Sequence, residues 1–418
     1  MIAEIFSGKR VKVLRDLGKV TRIDEKAEVP AEDAGLDAAR VRAIWTAVEH
    51  LYQAGVHPAI SIAVRRHGKL VLKRSIGCLT GNAPGQRGPQ VPLDPDAPIS
   101  LFSASKAITA LLVHKLIEQG KLRLEDRVAD HLPKFGARGK ERVTVRQLMA
   151  HRAGIPLLPV QDPDPDLLRH WDAIVDMLCG AEPADAKFQK QAYHALTAGF
   201  ILGEIVRKVS KRELPELLKE WIAAPLGCRY LTYGLEPKLR AKAPLNVFTG
   251  PKPFWPINIY AKRILGVSFE RAVEASNSDA FLSGVVPAGN IYATADEACR
   301  VFQMLLDKGK VNGKRVFEEK TVEEAVRPVG PMQLDGILRV PIRYSAGFML
   351  GESPFGLYGP KCHAAFGHLG FVSVLCWADP SRDLSVAFMN TGKSMAPAGV
   401  VRLARVLGAI SRACPPVH

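Results

Sequence analysis

Ala59-Ile60-Ser61-Ile62-Ala63-Val64 and, after a polar turn around His67-Gly68, Leu70-Val71-Leu72 read as two strands joined in a hairpin. Just upstream, Val41, Ile44, Val48 and Leu51 recur at helical spacing within residues 39–54. A helix feeding a hairpin predicts an antiparallel sheet with helices packed on it. Two further strand runs, 372–377 and 384–389, lie near the other end of the chain, ahead of a last helix at 400–412. The expected fold class is therefore α+β: an α/β sandwich whose antiparallel sheet is formed from both chain ends and flanked by helices. Residues 132–288 between them carry mostly helical pattern broken by Pro-rich loops, with the clearest helix at 195–209. The expected organisation is an N-terminal extension (1–35), a sheet domain (36–131 with 289–418) and an inserted helical domain (132–288). A junction of this kind places a cleft where ligand sites tend to lie.

Composition narrows the function classes. The 418 residues are 47% apolar and 24% charged, a globular profile able to bury a sizeable core. No run of about 18 apolar residues occurs, so a membrane-spanning helix is not expected. The first 20 residues alternate basic and apolar side chains without the apolar stretch of a secretory signal. Seven Cys, far apart and odd in number, form no metal-type spacing, and reduced thiols in a cytoplasmic protein are the expectation. No metal or cofactor is expected. The net charge of +15 implies solubility and a general preference for anions, and leaves peripheral contact with anionic lipid open. No zinc finger, aromatic RNA signature or Walker loop is present, so nucleic acid is not an expected partner. Oligomeric state is not legible.

Leu101-Phe102-Ser103-Ala104-Ser105-Lys106 opens a helical pattern whose apolar face holds Ile108, Leu111, Leu112, Leu116 and Ile117, ending near Gly120. A spacing of three puts Ser103 and Lys106 on one face, one turn apart. A serine hydroxyl needs a base, and a lysine serves only when its pKa is lowered, for example by desolvation. The start of a helix, with its free N–H groups, favours a developing anion beside Ser103. An N-cap serine followed by a solvated lysine gives the same motif, but the apolar neighbours Phe102, Ala107 and Ile108 favour a buried helix.

Three stretches in order resemble the serine β-lactamase and penicillin-binding-protein superfamily, most closely the class C and family VIII carboxylesterase branch. They are Ser103-x-x-Lys106 with Gly120-Lys121-Leu122 after it, 148–155 (LMAHRAGI), and Phe366-Gly367-His368-Leu369-Gly370. Tyr193-His194-Ala195 and the stretch 287–296 (PAGNIYATAD) lie between them where the family has a Tyr motif and a glycine-rich turn. The resemblance spans about residues 37–410. It implies that Ser103 attacks an acyl carbonyl, that Lys106 and Tyr193 share the proton work, and that backbone N–H groups of Ser103 and Phe371 hold the oxyanion. Which of Lys106 and Tyr193 accepts the first proton stays open. It further implies that His368 and Gly370 line the substrate side, with His368 hydrogen-bonding the tyrosine or substrate. His151 is expected beneath the site, and His194 is expected to point elsewhere.

Departures from the family pattern bear on substrate. Ala195 stands where class C enzymes carry Asn, His368 replaces a lysine, and Phe371-Val372-Ser373 follow the third motif. All three weaken a β-lactamase assignment and favour an uncharged small-molecule ester. The aromatic run 247–264, Trp255 included, is expected either to line an apolar acyl pocket of modest size or to pack the core. The expected activity is that of a serine carboxylesterase. Acyl transfer, β-lactam or D-Ala-D-Ala hydrolysis, and a non-enzymatic scaffold are the alternatives.

Overall fold

The computed structural model describes residues 8–253 and 257–417. Its main sheet takes strands from both ends of the chain: β1 (Thr21–Ile23), β2 (Ala59–Arg66), β3 (Lys69–Thr80), β4 (Met349–Leu350), β5 (Phe366–Gly370), β6 (Val374–Asp379) and β7 (Leu384–Asn390). The spatial order is β1-β3-β2-β7-β6-β5-β4, every pairing antiparallel, with a short strand at Val91–Pro92 against β3. The expected hairpin is thus present, and β2 meets β7 in the centre, Ala63 opposite Ala387 and Ile62 opposite Phe388.

The two faces of the sheet differ in side-chain size, which follows from the period of two along each strand. Ile60, Ile62 and Val64 on β2, Trp377 on β6 and Phe388 on β7 point to one face, packed with helices α1 (Ala38–Tyr52) and α9 (Pro397–Ala413). Ala59, Ala63, Cys376, Ala378 and Ala387 point to the other. Small residues there let helix α8 (Ala295–Leu306) lie close against the sheet, and the interior of the molecule continues from that side. Asp37 caps α1 through Arg40 N–H, and Thr294 with Glu297 forms a reciprocal capping box at the start of α8.

Between the halves of the sheet run helices α2 (Ser105–Glu118), α3 (Trp171–Gly180), α4 (Thr197–Ser210), α5 (Ile257–Leu265), α6 (Phe269–Ala275) and α7 (Asp279–Ser283). The central one, α2, is buried almost all round, which explains its lack of a polar face. Six of the seven Cys are buried and none is paired.

Two expectations shift. The 372–377 strand begins at Val374, because Phe371–Ser373 form the turn of the β5–β6 hairpin. The helix expected from Ala195 begins at Thr197, because the Ala195 carbonyl is turned toward Lys106.

Candidate active site

Ser103 sits in a tight turn, Phe102–Ala104, immediately before α2. Phe102 takes a left-handed φ of +48°, an uncommon conformation for a bulky residue. Neighbouring contacts hold it there. Its N–H donates to Ser100 Oγ at 3.3 Å, and its ring packs against those of Phe371 and Phe281 at 5.3 and 6.1 Å. Leu101 N–H donates to the Ile291 carbonyl (2.8 Å) and Ile291 N–H to Ser105 Oγ (3.0 Å), so the turn is bound to the chain on both sides.

Lys106 lies one turn further on and is almost fully buried. Its Nζ is 3.1 Å from Ser103 Oγ and donates to the carbonyls of Ala195 (2.6 Å) and Ala288 (3.1 Å). No carboxylate is among these partners, and burial holds the amine well below its usual range. A neutral amine at this position would donate its two N–H groups to these carbonyls and turn its lone pair toward the serine. The Ala288 carbonyl is delivered by the 287–290 turn. Asn290 holds that turn by accepting from Val286 N–H and donating to the Phe281 and Gly284 carbonyls, each at 2.8 Å.

Tyr193 completes the group from the opposite side. Its phenol lies close enough to the Ser103 side chain to feel it, and its ring centroid is 4.8 Å from Lys106 Nζ. Burial raises the phenol above its ordinary pKa, outweighing the opposing effect of the serine. Burial thus disfavours the charged form of both groups, the ammonium of Lys106 and the phenolate of Tyr193.

The β5–β6 hairpin closes the other flank. A side-chain carbon on Gly370 would come within 2.3 Å of the Leu101 carbonyl, so glycine is required for the strand to approach the nucleophile turn. Gly370 also lines the cavity, on the substrate side anticipated for it. Among the described residues, no backbone carbonyl accepts from the Ser103 or Phe371 N–H. Ser103, Tyr193, Ala195, Gly370 and Phe371 all face one cavity of about 460 Å³.

His368 is not in that wall. It is buried behind it, its Nδ1 within 2.6 Å of the Leu369 carbonyl, its Nε2 without a partner, and its ring centroid 6.2 Å from that of Tyr193. Burial lowers the imidazole to about 3 and keeps it neutral. The alternation of β5 accounts for this placement: Leu369 reaches the cavity and His368 faces the opposite way. His151 is buried beneath the site as expected, its ring 4.8 Å from Tyr193 and its Nδ1 accepting from His194 N–H. The His194 ring turns away, to the Ala192 carbonyl and Ile155 N–H. Trp255 lies outside the described residues.

Sequence reasoning missed Asp335 and Lys393. Buried Asp335 accepts N–H bonds from Tyr193 (3.0 Å), Ile337 and Leu338 (both 2.8 Å) through one oxygen, fixing the tyrosine's backbone. The Asp335-Gly336 pair signals a turn, but nothing local points to a partner 142 positions away. Buried Lys393 lies 4.5 Å above the Phe102 ring and donates to the Asn390 carbonyl (2.9 Å). No motif marks it.

Comparison with known proteins agrees with this geometry. Residues 46–409 match the beta-lactamase family. The chain is 30% identical over 317 residues to "Esterase/beta-lactamase LipL" of Mycobacterium tuberculosis, covering 72% of this chain and 70% of that protein. A penicillin-binding-protein homologue from Caulobacter crescentus superposes with a TM-score of 0.75 at 28% identity over 90% of this chain and 98% of its own. A family VIII carboxylesterase gives a TM-score of 0.77 at 24% identity, with the same coverages of 90% and 98%. The chain belongs to the beta-lactamase family.

Proposed function

We propose that this protein is a serine carboxylesterase that works through an acyl-enzyme on Ser103. The observation that carries the reading is a buried, carboxylate-free Lys106 amine on the Ser103 oxygen, with the Tyr193 phenol beside them in the same cavity. In acylation, Lys106 Nζ takes the hydroxyl proton as Ser103 Oγ attacks the ester carbonyl carbon. The oxyanion forms against the Ser103 and Phe371 N–H groups. As the C–O bond to the alcohol breaks, Tyr193 gives its proton to the departing alkoxide and recovers one from the Lys106 ammonium. Deacylation repeats the sequence with water as nucleophile, releasing the acid and restoring the serine.

The cavity supports an uncharged ester over a β-lactam. Among the described residues lining it, Arg271 is the single guanidinium or ammonium, and that side chain is paired with Asp162 at 3.0 Å. A lactam carboxylate would meet no free cation there. Turnover of p-nitrophenyl esters is therefore expected to exceed that of nitrocefin by orders of magnitude. Ser103→Ala is expected to abolish ester turnover and fluorophosphonate labelling while leaving the circular dichroism spectrum unchanged. Nitrocefin turnover equal to that of the esters would reverse the assignment in favour of a β-lactamase.

A further inference from the structure

The cavity beside Ser103 extends well past the reacting groups. From Phe371 and Phe102 its wall continues to Leu168, Ile174 on α3, Phe200 on α4 and Ala272 on α6. Ile174 and Phe200 are fully buried members of the main core, so this limb reaches into the interior of the helical layer. The polar side chains along it already have partners. Arg271 is paired with Asp162, Tyr260 donates its hydroxyl to the Leu338 carbonyl, and Ser276 donates to the Val273 carbonyl at 2.6 Å. Asp164 accepts from Asp166 N–H at 2.8 Å. Beyond Ser103 and Tyr193, a ligand therefore meets a few polar side chains that already have partners, the exposed Asp164 among them, and otherwise apolar surface. An amide, hydroxyl or charge on the far part of the acyl group would lose its hydration without gaining a hydrogen bond. A methylene chain loses nothing and gains burial.

We infer that the acyl substrates are fatty acyl esters of medium length without polar substituents, with the chain seated in this limb. The assignment rests on the esterase reading and specifies the substrate class of the same site. At roughly 30 Å³ per heavy atom, the share of a molecule in liquid water, about fifteen heavy atoms fit. Once the ester group and a small alcohol are seated, about eight to twelve carbons remain for the acyl chain. Acetyl or butyryl esters leave most of the limb unfilled.

The test is kcat/KM for p-nitrophenyl esters from C2 to C16 with the full chain. A rise of up to about fourfold per added methylene, the transfer gain of one buried CH2, is expected until a maximum at C8–C12, followed by a fall at C16. Ala272→Trp and Leu168→Trp, which fill the limb from two of its walls, should each lower the C10-to-C4 ratio at least about tenfold. The ratio is read within one preparation, so partial misfolding of either variant does not imitate the effect. A wild-type maximum at C2–C4, or an unchanged ratio in both variants, overturns the chain-length assignment while Ser103-dependent hydrolysis still stands. Hydrolysis of every ester surviving in Ser103→Ala overturns the esterase reading itself.

Discussion

Ser103 has two proton carriers beside it, the Lys106 amine on its oxygen and the Tyr193 phenol in the same cavity. Burial disfavours the charge of Lys106, and burial disfavours the phenolate of Tyr193. The pH dependence follows from the signs. The amine is competent above its pKa, and that pKa is lowered, so kcat/KM should rise at a pH well below the usual amine range. The phenol donates below its pKa, and that pKa is raised, so the profile should stay flat far into alkali. A pH–rate profile of ester hydrolysis checks both limbs, and a rise delayed to near pH 10 would show that Lys106 is charged at rest. Tyr193→Phe should reduce kcat about a hundredfold, the scale of a lost proton-transfer group. The fold should hold, since its backbone remains on Asp335.

Among the elements, the β5–β6 hairpin is the one that must be aimed. Val372, at its tip, adopts φ +68°, costly for a β-branched residue. Asn390 at the end of β7 holds the turn from below: Ser373 Oγ donates to its Oδ1 (3.1 Å), and its Nδ2 donates to the Ser373 carbonyl (2.9 Å). Both residues are buried, so no solvent replaces these bonds. Asn390 is thereby a positioning residue for the Phe371 N–H, two residues along the same turn. On the proposed mechanism, Asn390→Ala should lower kcat about tenfold or more with little change in KM, because an oxyanion donor acts in the transition state and not in substrate binding. Steady-state kinetics on one ester separates the two, and a change confined to KM would place the turn in substrate binding instead.

Over the whole molecule, burying cations without carboxylates has a cost that depends on pH. Burial lowers Lys393 to about 7. Between that value and the 10.5 of an ordinary lysine, the unfolded chain carries one proton more at this site, so stability rises with pH across that window. In Lys393→Met this contribution is absent. The stability of wild type relative to the variant should therefore increase from pH 7 to pH 10, by at most about 1.4 kcal/mol per pH unit. Urea unfolding of both proteins at the two pH values measures it, and a pH-independent difference would mean that Lys393 keeps its charge. His57, on the far side of the same lysine, is held to about 3 chiefly by burial and stays neutral throughout the window.

The sequence by itself determined what depends on neighbours along the chain. The period-two runs at 59–64 and 384–389 predict the strands, the apolar helical face from Ile108 to Ile117 predicts α2, and the Ser-x-x-Lys spacing places Ser103 beside Lys106. These are local consequences of strand and helix geometry. Tertiary structure alone decided what depends on residues far apart. It turned His368 behind the cavity wall, made Gly370 a matter of clearance from the Leu101 carbonyl, and attached Tyr193 to Asp335. It also joined Leu168, Ile174, Phe200 and Ala272 into one apolar limb. Facing, clearance and enclosed volume are properties of packed surfaces, and no spacing along a chain encodes which surfaces will meet.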